Sequence, residues 1–305
     1  MGVRILKTAA YLPRNIITNE ELEKKLGLES GWIKSRTGIE SRHWAEEDEN
    51  ILNMAIKVVE NILDEERGVQ VDKILFVTSS EKPSYMPYSI QLASAFGMQE
   101  SPGVDIVGGF MAFLHALDLA IAAIEARKAE KILIVASETL SKHLDWEDPS
   151  TLPLFGDGAG GVLLVNDHWT HVSYFKSIPG TEDYLFLDEN GTIQMNGTKV
   201  YRTAVEGMEE VSRKLLEKAE LNPTKVELVV PHQANLKIIE RGFSKLGVPK
   251  ERIFIDLVKH GNTGSASIPI ALHHALQKNT PRSIMMVGVG SGMNYGGVLM
   301  WEEIR

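Results

Sequence analysis

Apolar residues fall along this chain in two rhythms. In the first, aliphatic and β-branched residues run almost unbroken for a few positions: "KILFVTSS" (73–80), "KILIVASE" (131–138), "GGVLLV" (160–165), "VELVVPH" (226–232), "RIFIDLV" (252–258) and "SIMMVGVG" (283–290). Such runs predict strands covered on both faces, as in a parallel sheet flanked by helices. In the second rhythm, apolar positions recur with helical spacing, as in "EGMEEVSRKLLEKAEL" (206–221). Strand, helix and strand follow one another from 73 to 135 and again from 226 to 255, which predicts an α/β class. The halves share too little local identity to establish a repeat, so duplication rests on the pattern alone. A boundary is expected near Asn166–Asp167, giving halves 1–166 and 167–305. No Gly/Ser-rich or Pro-rich linker marks it, so the halves are expected to pack together.

One stretch has the form of a nucleophile site without the nucleophile. In "VDIVGGFMAFLHALDLA" (104–120) a short apolar run passes through two glycines into a helix, so the residue at the turn sits at a buried helix N-terminus, where backbone N–H groups converge. That residue is Phe110, whose ring cannot attack anything. His115, five positions on, lies about 140° further around an ideal helix and is expected in a core or an interface. Three later loops carry polar groups beside small residues: "PHQAN" (231–235), "KHGNTGSAS" (259–267) and "GVGSGMNYGG" (288–297). Each is expected after a strand, where open α/β sheets place their sites. His232 is then a candidate donor or base, Asn262 an amide donor, and Gly290, Ser291 and Gly292 a place where backbone can approach a substrate oxygen. Alone, each of these is also an ordinary turn.

Composition narrows the chemistry. The chain of 305 residues is 43% hydrophobic and contains no cysteine, which excludes disulfides, thiolate metal sites and thiol catalysis within it. Its nine histidines show no metal-ligand spacing, and the adjacent His273 and His274 would point to different sides of a helix, so no metal is expected. The formal charge is −9, without a long basic block, which disfavours nucleic acid as a partner. No apolar run reaches the roughly 18 residues that span a bilayer. The N-terminus lacks a signal-peptide cleavage pattern, so a cytoplasmic protein without a membrane partner is expected.

Taken in order, several motifs resemble one family: "YLPRNIITNEELE" (11–23), "WIKSRTGIESRH" (32–43), "FGDGAG" (155–160), "PHQAN", and "HGNT" (260–263) some thirty residues later. The chain resembles β-ketoacyl-acyl carrier protein synthase III, a thiolase-fold condensing enzyme, along almost its whole length. The resemblance implies a duplicated five-layer αβαβα fold, a homodimer, and substrates carried as thioesters of coenzyme A or of the phosphopantetheine arm of acyl carrier protein. No permanently bound cofactor is implied. The family's Cys-His-Asn triad falls on Phe110, His232 and Asn262, so two of three members are kept. Trp32 and Arg36 fall on the pair that sandwiches the adenine of coenzyme A, and Asn235 completes the substrate-binding set.

Other positions depart from the family's pattern. Pro149 stands where an arginine is expected, which weakens the case for a coenzyme A phosphate contact, and Ser291 stands where the family usually has glycine. In the family the His and Asn stabilise the enolate that forms as a malonyl group loses carbon dioxide, a step that needs no cysteine. The resemblance therefore implies a malonyl-thioester decarboxylase, or condensation without a covalent intermediate. The alternatives are a catalytically silent subunit paired with an active relative in a heterodimer, and a conventional synthase with an unrecognised nucleophile. Acyl carrier protein is acidic, and Lys237, Arg241 and Lys245, recurring every four residues after "PHQAN", are expected to form its docking face on one helix.

Overall fold

The computed structural model describes residues 2–63, 70–81 and 85–303. Its strands send alternate side chains into two different cores. Along Lys131–Glu138, Ile132 and Ile134 enter one apolar cluster, while Leu133 and Val135 enter another on the opposite face. Strand Ser283–Gly290 divides likewise, with Ile284 and Met286 on one side and Met285, Val287 and Val289 on the other. The period of two in side-chain direction is what makes an unbroken apolar run a strand buried on both faces.

Two sheets result. The first has the order Gly2–Tyr11, Gly158–Asp167, Lys131–Glu138, Lys73–Val77, Gly103–Ile106. The second has the order Leu228–Pro231, Ser283–Gly290, Asn294–Glu302, Trp169–Ser177. Helices Ile51–Leu63 and Tyr88–Ala95 cover the outer face of the first sheet, and Gly197–Ala219 and Leu236–Phe243 cover that of the second. Between the sheets lie Ala112–Glu125 and Ser267–Leu276, whose side chains share one core with both. The architecture is the five-layer αβαβα sandwich. Helix Ile51–Leu63 shows how an outer layer is written: its buried residues Ile51, Met54, Ala55, Val58, Val59 and Ile62 follow helical spacing on one face. No helix among the described residues is long and apolar enough to cross a membrane.

Three expectations about strands are corrected. Gly158–Asp167 is antiparallel to both its neighbours, because the chain leaves Lys131–Glu138 and returns at the same end of the sheet. "RIFIDLV" is not a strand: only Ile253 bridges to Val229, and helix Leu257–His260 follows. The Phe254 N–H reaches the Val229 carbonyl at 2.8 Å, but those of Asp256 and Leu257 donate to the Gln233 side chain. The parallel neighbour of Leu228–Pro231 is instead Ser283–Gly290, and "HGNT" follows a short helix rather than a strand.

Candidate functional site

Helix Ala112–Glu125 is apolar on most sides because it runs between the two sheets. A single 3-10 turn, Gly109–Met111, leads into it, with Gly109 in the left-handed region at φ 61°. Phe110 is thus at the buried head of the helix, 8% exposed. Its ring centroid lies 5.8 Å from those of both Phe155 and His232. Strand Ser283–Gly290 closes on this turn through bare backbone: a Cβ on Gly290 would stand 3.0 Å from the Met111 nitrogen and 3.2 Å from that of Phe110.

His232 follows directly on Leu228–Pro231 and is buried. Burial without a neighbouring charge lowers its pKa to about 4, so the imidazole is neutral near pH 7. Nδ1 sits 2.6 Å from the Ser267 hydroxyl, whose oxygen accepts the Gln233 backbone N–H at 3.4 Å. Asn262 is buried too, and its backbone is pinned on both sides by Leu154 and Gly156. Its side-chain oxygen accepts the Gly264 N–H at 3.0 Å, and its amide hydrogens make no bond to the described residues. His232 and Asn262, thirty residues apart, line the same cavity.

That cavity, of about 310 Å³, is also lined by Trp32, Arg36, Phe110, Pro149, Asn235 and Gly290. A second, of about 190 Å³, lies beyond Phe110 and is lined by Gly109, Phe110, His143, Phe186, Ser291 and neighbouring residues. Phe110 and Leu185 border both, so the ring stands between two mainly apolar chambers, of which the larger carries His232 and Asn262.

The family model for 3-oxoacyl-acyl carrier protein synthase III matches residues 104–180, and the model of its C-terminal part matches 216–301. The β-ketoacyl-acyl carrier protein synthase III of Aquifex aeolicus is 38% identical over 308 residues, covering 98% of this chain and 99% of that one. The chain belongs to the β-ketoacyl-acyl carrier protein synthase III family. The crystal structure of the Aquifex enzyme superposes with a TM-score of 0.94 at 37% identity, covering 98% of this chain and all (100%) of that one. The synthase III of Pseudomonas aeruginosa superposes with a TM-score of 0.92 at 28% identity, covering 100% of both chains. These relatives carry the thiolase fold, and the family is one of acyltransferases of fatty-acid biosynthesis.

Among members of this synthase III family, the present chain arranges its other candidate residues as follows. Trp32 and Arg36 stack on each other, the guanidinium carbon 4.4 Å from the indole centroid. Asn235 caps helix Leu236–Phe243 by accepting the Lys237 N–H at 2.9 Å and donates to the Arg36 carbonyl at 3.3 Å, which occupies its amide in joining two elements. Pro149 lies in a turn held by Asp148, whose carboxylate accepts from Ser150 and Thr151. Ser291 reaches the second cavity; its hydroxyl lies against Gly109 and makes no hydrogen bond among the described residues. Gly292 adopts φ 65° in the same turn and touches neither cavity. His115 lines neither cavity: it stacks on Phe175 at 4.5 Å and meets the Asn294 amide at 3.0 Å. Lys237 and Arg241 are exposed and free of ion pairs among the described residues, but the helix ends at Phe243. Lys245 therefore lies past it, 3.9 Å from Glu209, which corrects the expectation of one continuous basic face.

Two supporting residues were not among the candidates, although Asp157 lies in the "FGDGAG" motif. Glu138, wholly buried at the end of its strand, accepts from Ser80 at 2.5 Å, from the Ser79 N–H at 2.9 Å, and from the Ser265 hydroxyl. Burial pushes its pKa up, opposed by these bonds. It ties the first sheet to the turn that follows Asn262. Asp157 of "FGDGAG" likewise accepts from Ala45 and Ser141, and burial raises its pKa to about 6. Asp256, His260 and His274 form the one group of potential metal ligands among the described residues.

Proposed function

We propose that this chain acts on malonyl thioesters through a His232–Asn262 oxyanion site and forms no covalent acyl-enzyme. The observation that carries the proposal is that His232 and the undonated amide of Asn262 face one cavity, while the helix head presents Phe110 and the chain has no cysteine. The mechanism takes the tautomer in which the Ser267 hydroxyl donates to Nδ1 of His232 while its oxygen accepts the Gln233 N–H. The ring hydrogen then resides on Nε2, as a neutral donor.

The chemistry is balanced without a nucleophile. The bond between the malonyl carboxylate and the adjacent carbon breaks, carbon dioxide leaves, and the electron pair moves onto the thioester oxygen as an enolate. His232 Nε2–H and Asn262 Nδ2–H stabilise that oxygen, and a proton from water then gives the acetyl thioester. Donors aimed at developing oxyanion charge are worth about 3–4 kcal/mol each in a dry site. Condensation with a non-covalently held acyl thioester would use the same enolate.

The thioester is read as carried by acyl carrier protein, with Lys237 and Arg241 beside the mouth to receive an acidic partner. Coenzyme A is less well served. Adenine between Trp32 and Arg36 requires their planes to part to about twice the stacking distance, and they are in contact. A silent subunit that pairs with an active synthase is the second reading, favoured by the Phe110 ring at the helix head, where it lines both cavities. A homodimer is expected for the first reading and a heterodimer for the second. Incubation with malonyl-carrier protein, with and without an acyl thioester, distinguishes them by mass spectrometry. Acetyl-carrier protein alone supports decarboxylation, a β-ketoacyl product supports condensation, and no turnover supports the silent subunit.

A further inference from the structure

We propose that Asp256, His260 and His274 form a binding site for one divalent transition-metal ion of the zinc class. The sequence hides this site because its ligands come from different elements. Asp256 precedes the short helix Leu257–His260 that ends in His260, and His274 lies on Ser267–Leu276. One ligand atom from each lies within 4.8 Å of the others. The Asp256 carboxylate makes both links, Oδ2 at 2.9 Å from His274 Nδ1 and Oδ1 at 3.8 Å from His260 Nε2. Zinc–nitrogen and zinc–oxygen bonds of about 2.0–2.2 Å place two donors on a tetrahedral ion about 3.3 Å apart. The observed separations bracket that value, so small side-chain rotations close the site.

The donor chemistry fits as well. Two imidazoles and one carboxylate are borderline ligands that suit zinc and its neighbours rather than calcium or magnesium. Nε2 is the His260 ring nitrogen that faces Asp256, while Nδ1 is buried with no hydrogen-bond partner among the described residues. On binding, the ion replaces the hydrogen shared by Asp256 and His274, and that proton moves to Nε2 of the same ring. All three side chains are partly exposed, which leaves a fourth position for water. His43 packs 5.5 Å from the His260 ring, whereas His273 turns away to Thr8.

None of the three lines the cavity that holds His232 and Asn262, yet the cluster is joined to both. The Asp256 and Leu257 N–H groups donate to the side chain of Gln233, the residue after His232, at 2.8 and 3.2 Å. His260 is separated from Asn262 only by Gly261. An ion here would brace both segments from behind.

The test uses untagged full-length protein, stripped with chelator and titrated with zinc chloride by calorimetry, with metal content measured after dialysis. One zinc per chain and a higher melting temperature are expected. Asp256→Asn and His274→Gln should each weaken binding at least about tenfold, while the exposed His168→Gln leaves it unchanged; circular dichroism confirms that the variants fold. Absence of stoichiometric zinc, or zinc retained equally by Asp256→Asn and His274→Gln, overturns the site. Neither readout depends on acyl chemistry, so failure here leaves the proposed activity standing.

Discussion

The Phe110 ring packs beside that of His232 and lines both cavities, so its replacement reports directly on what the ring does. Phe110→Cys supplies a thiol at the helix head and should take up acyl groups from acyl thioesters, but only partly, because Met111 and Ala112 also depart from the family pattern. Intact-protein mass measures the labelled fraction, and complete labelling with full condensation would show those neighbours to be unimportant. His232→Ala and Asn262→Ala should each lower decarboxylation by roughly a hundredfold, the scale of one lost oxyanion donor. Unchanged turnover in both would remove the mechanism. The pH profile follows from the lowered pKa of His232, about 4. Above that value the ring stays neutral, so protonation of His232 should impose no break in rate near 6.5, the ordinary histidine value. A break there that disappears in His232→Ala would mean that the ring is charged during turnover.

At the scale of elements, the site is held from behind. Ser267, first residue of Ser267–Leu276, fixes Nδ1 of His232. Ser267→Ala should therefore lower the turnover number with little change in KM, and Ser267→Thr should recover part of the loss. Equal recovery by neither, with KM rising instead, would make the serine a packing residue. On the outer face, Lys237→Glu with Arg241→Glu should weaken carrier-protein binding and flatten its salt dependence, while turnover of small malonyl thioesters stays near normal. Equal loss with both substrates would assign the helix to the fold. Lys245 belongs in neither variant, since the helix has ended before it.

Across the whole molecule, what was legible in the sequence is what local rules decide. The double-faced strands 73–77, 131–138 and 283–290 announce themselves by period, as does the later part of helix Gly197–Ala219, read as 206–221, and "PHQAN" with "HGNT" marks two candidate site residues through family pattern. Gly2–Tyr11 and Trp169–Ser177 escaped because many of their residues are only half-buried and their apolar runs are broken. "RIFIDLV" misled because its apolar content is real but only Phe254 donates to the strand, while the Asp256 and Leu257 donors are claimed by Gln233. Glu138 could not be read because packing of separate elements brings its partners near, and the Asp256–His260 pair lacked its third member because His274 joins it from another helix. The same packing sets Phe110 between two cavities, and the account stands on chemistry proceeding there without attachment to the protein. Mass spectrometry of the whole reaction during turnover of malonyl-carrier protein tests this most directly, because it weighs product and protein together. The account predicts accumulating acetyl-carrier protein with the protein mass unchanged throughout; an acyl adduct on the chain, above all on Ser291, formed and consumed at the rate of turnover would contradict it.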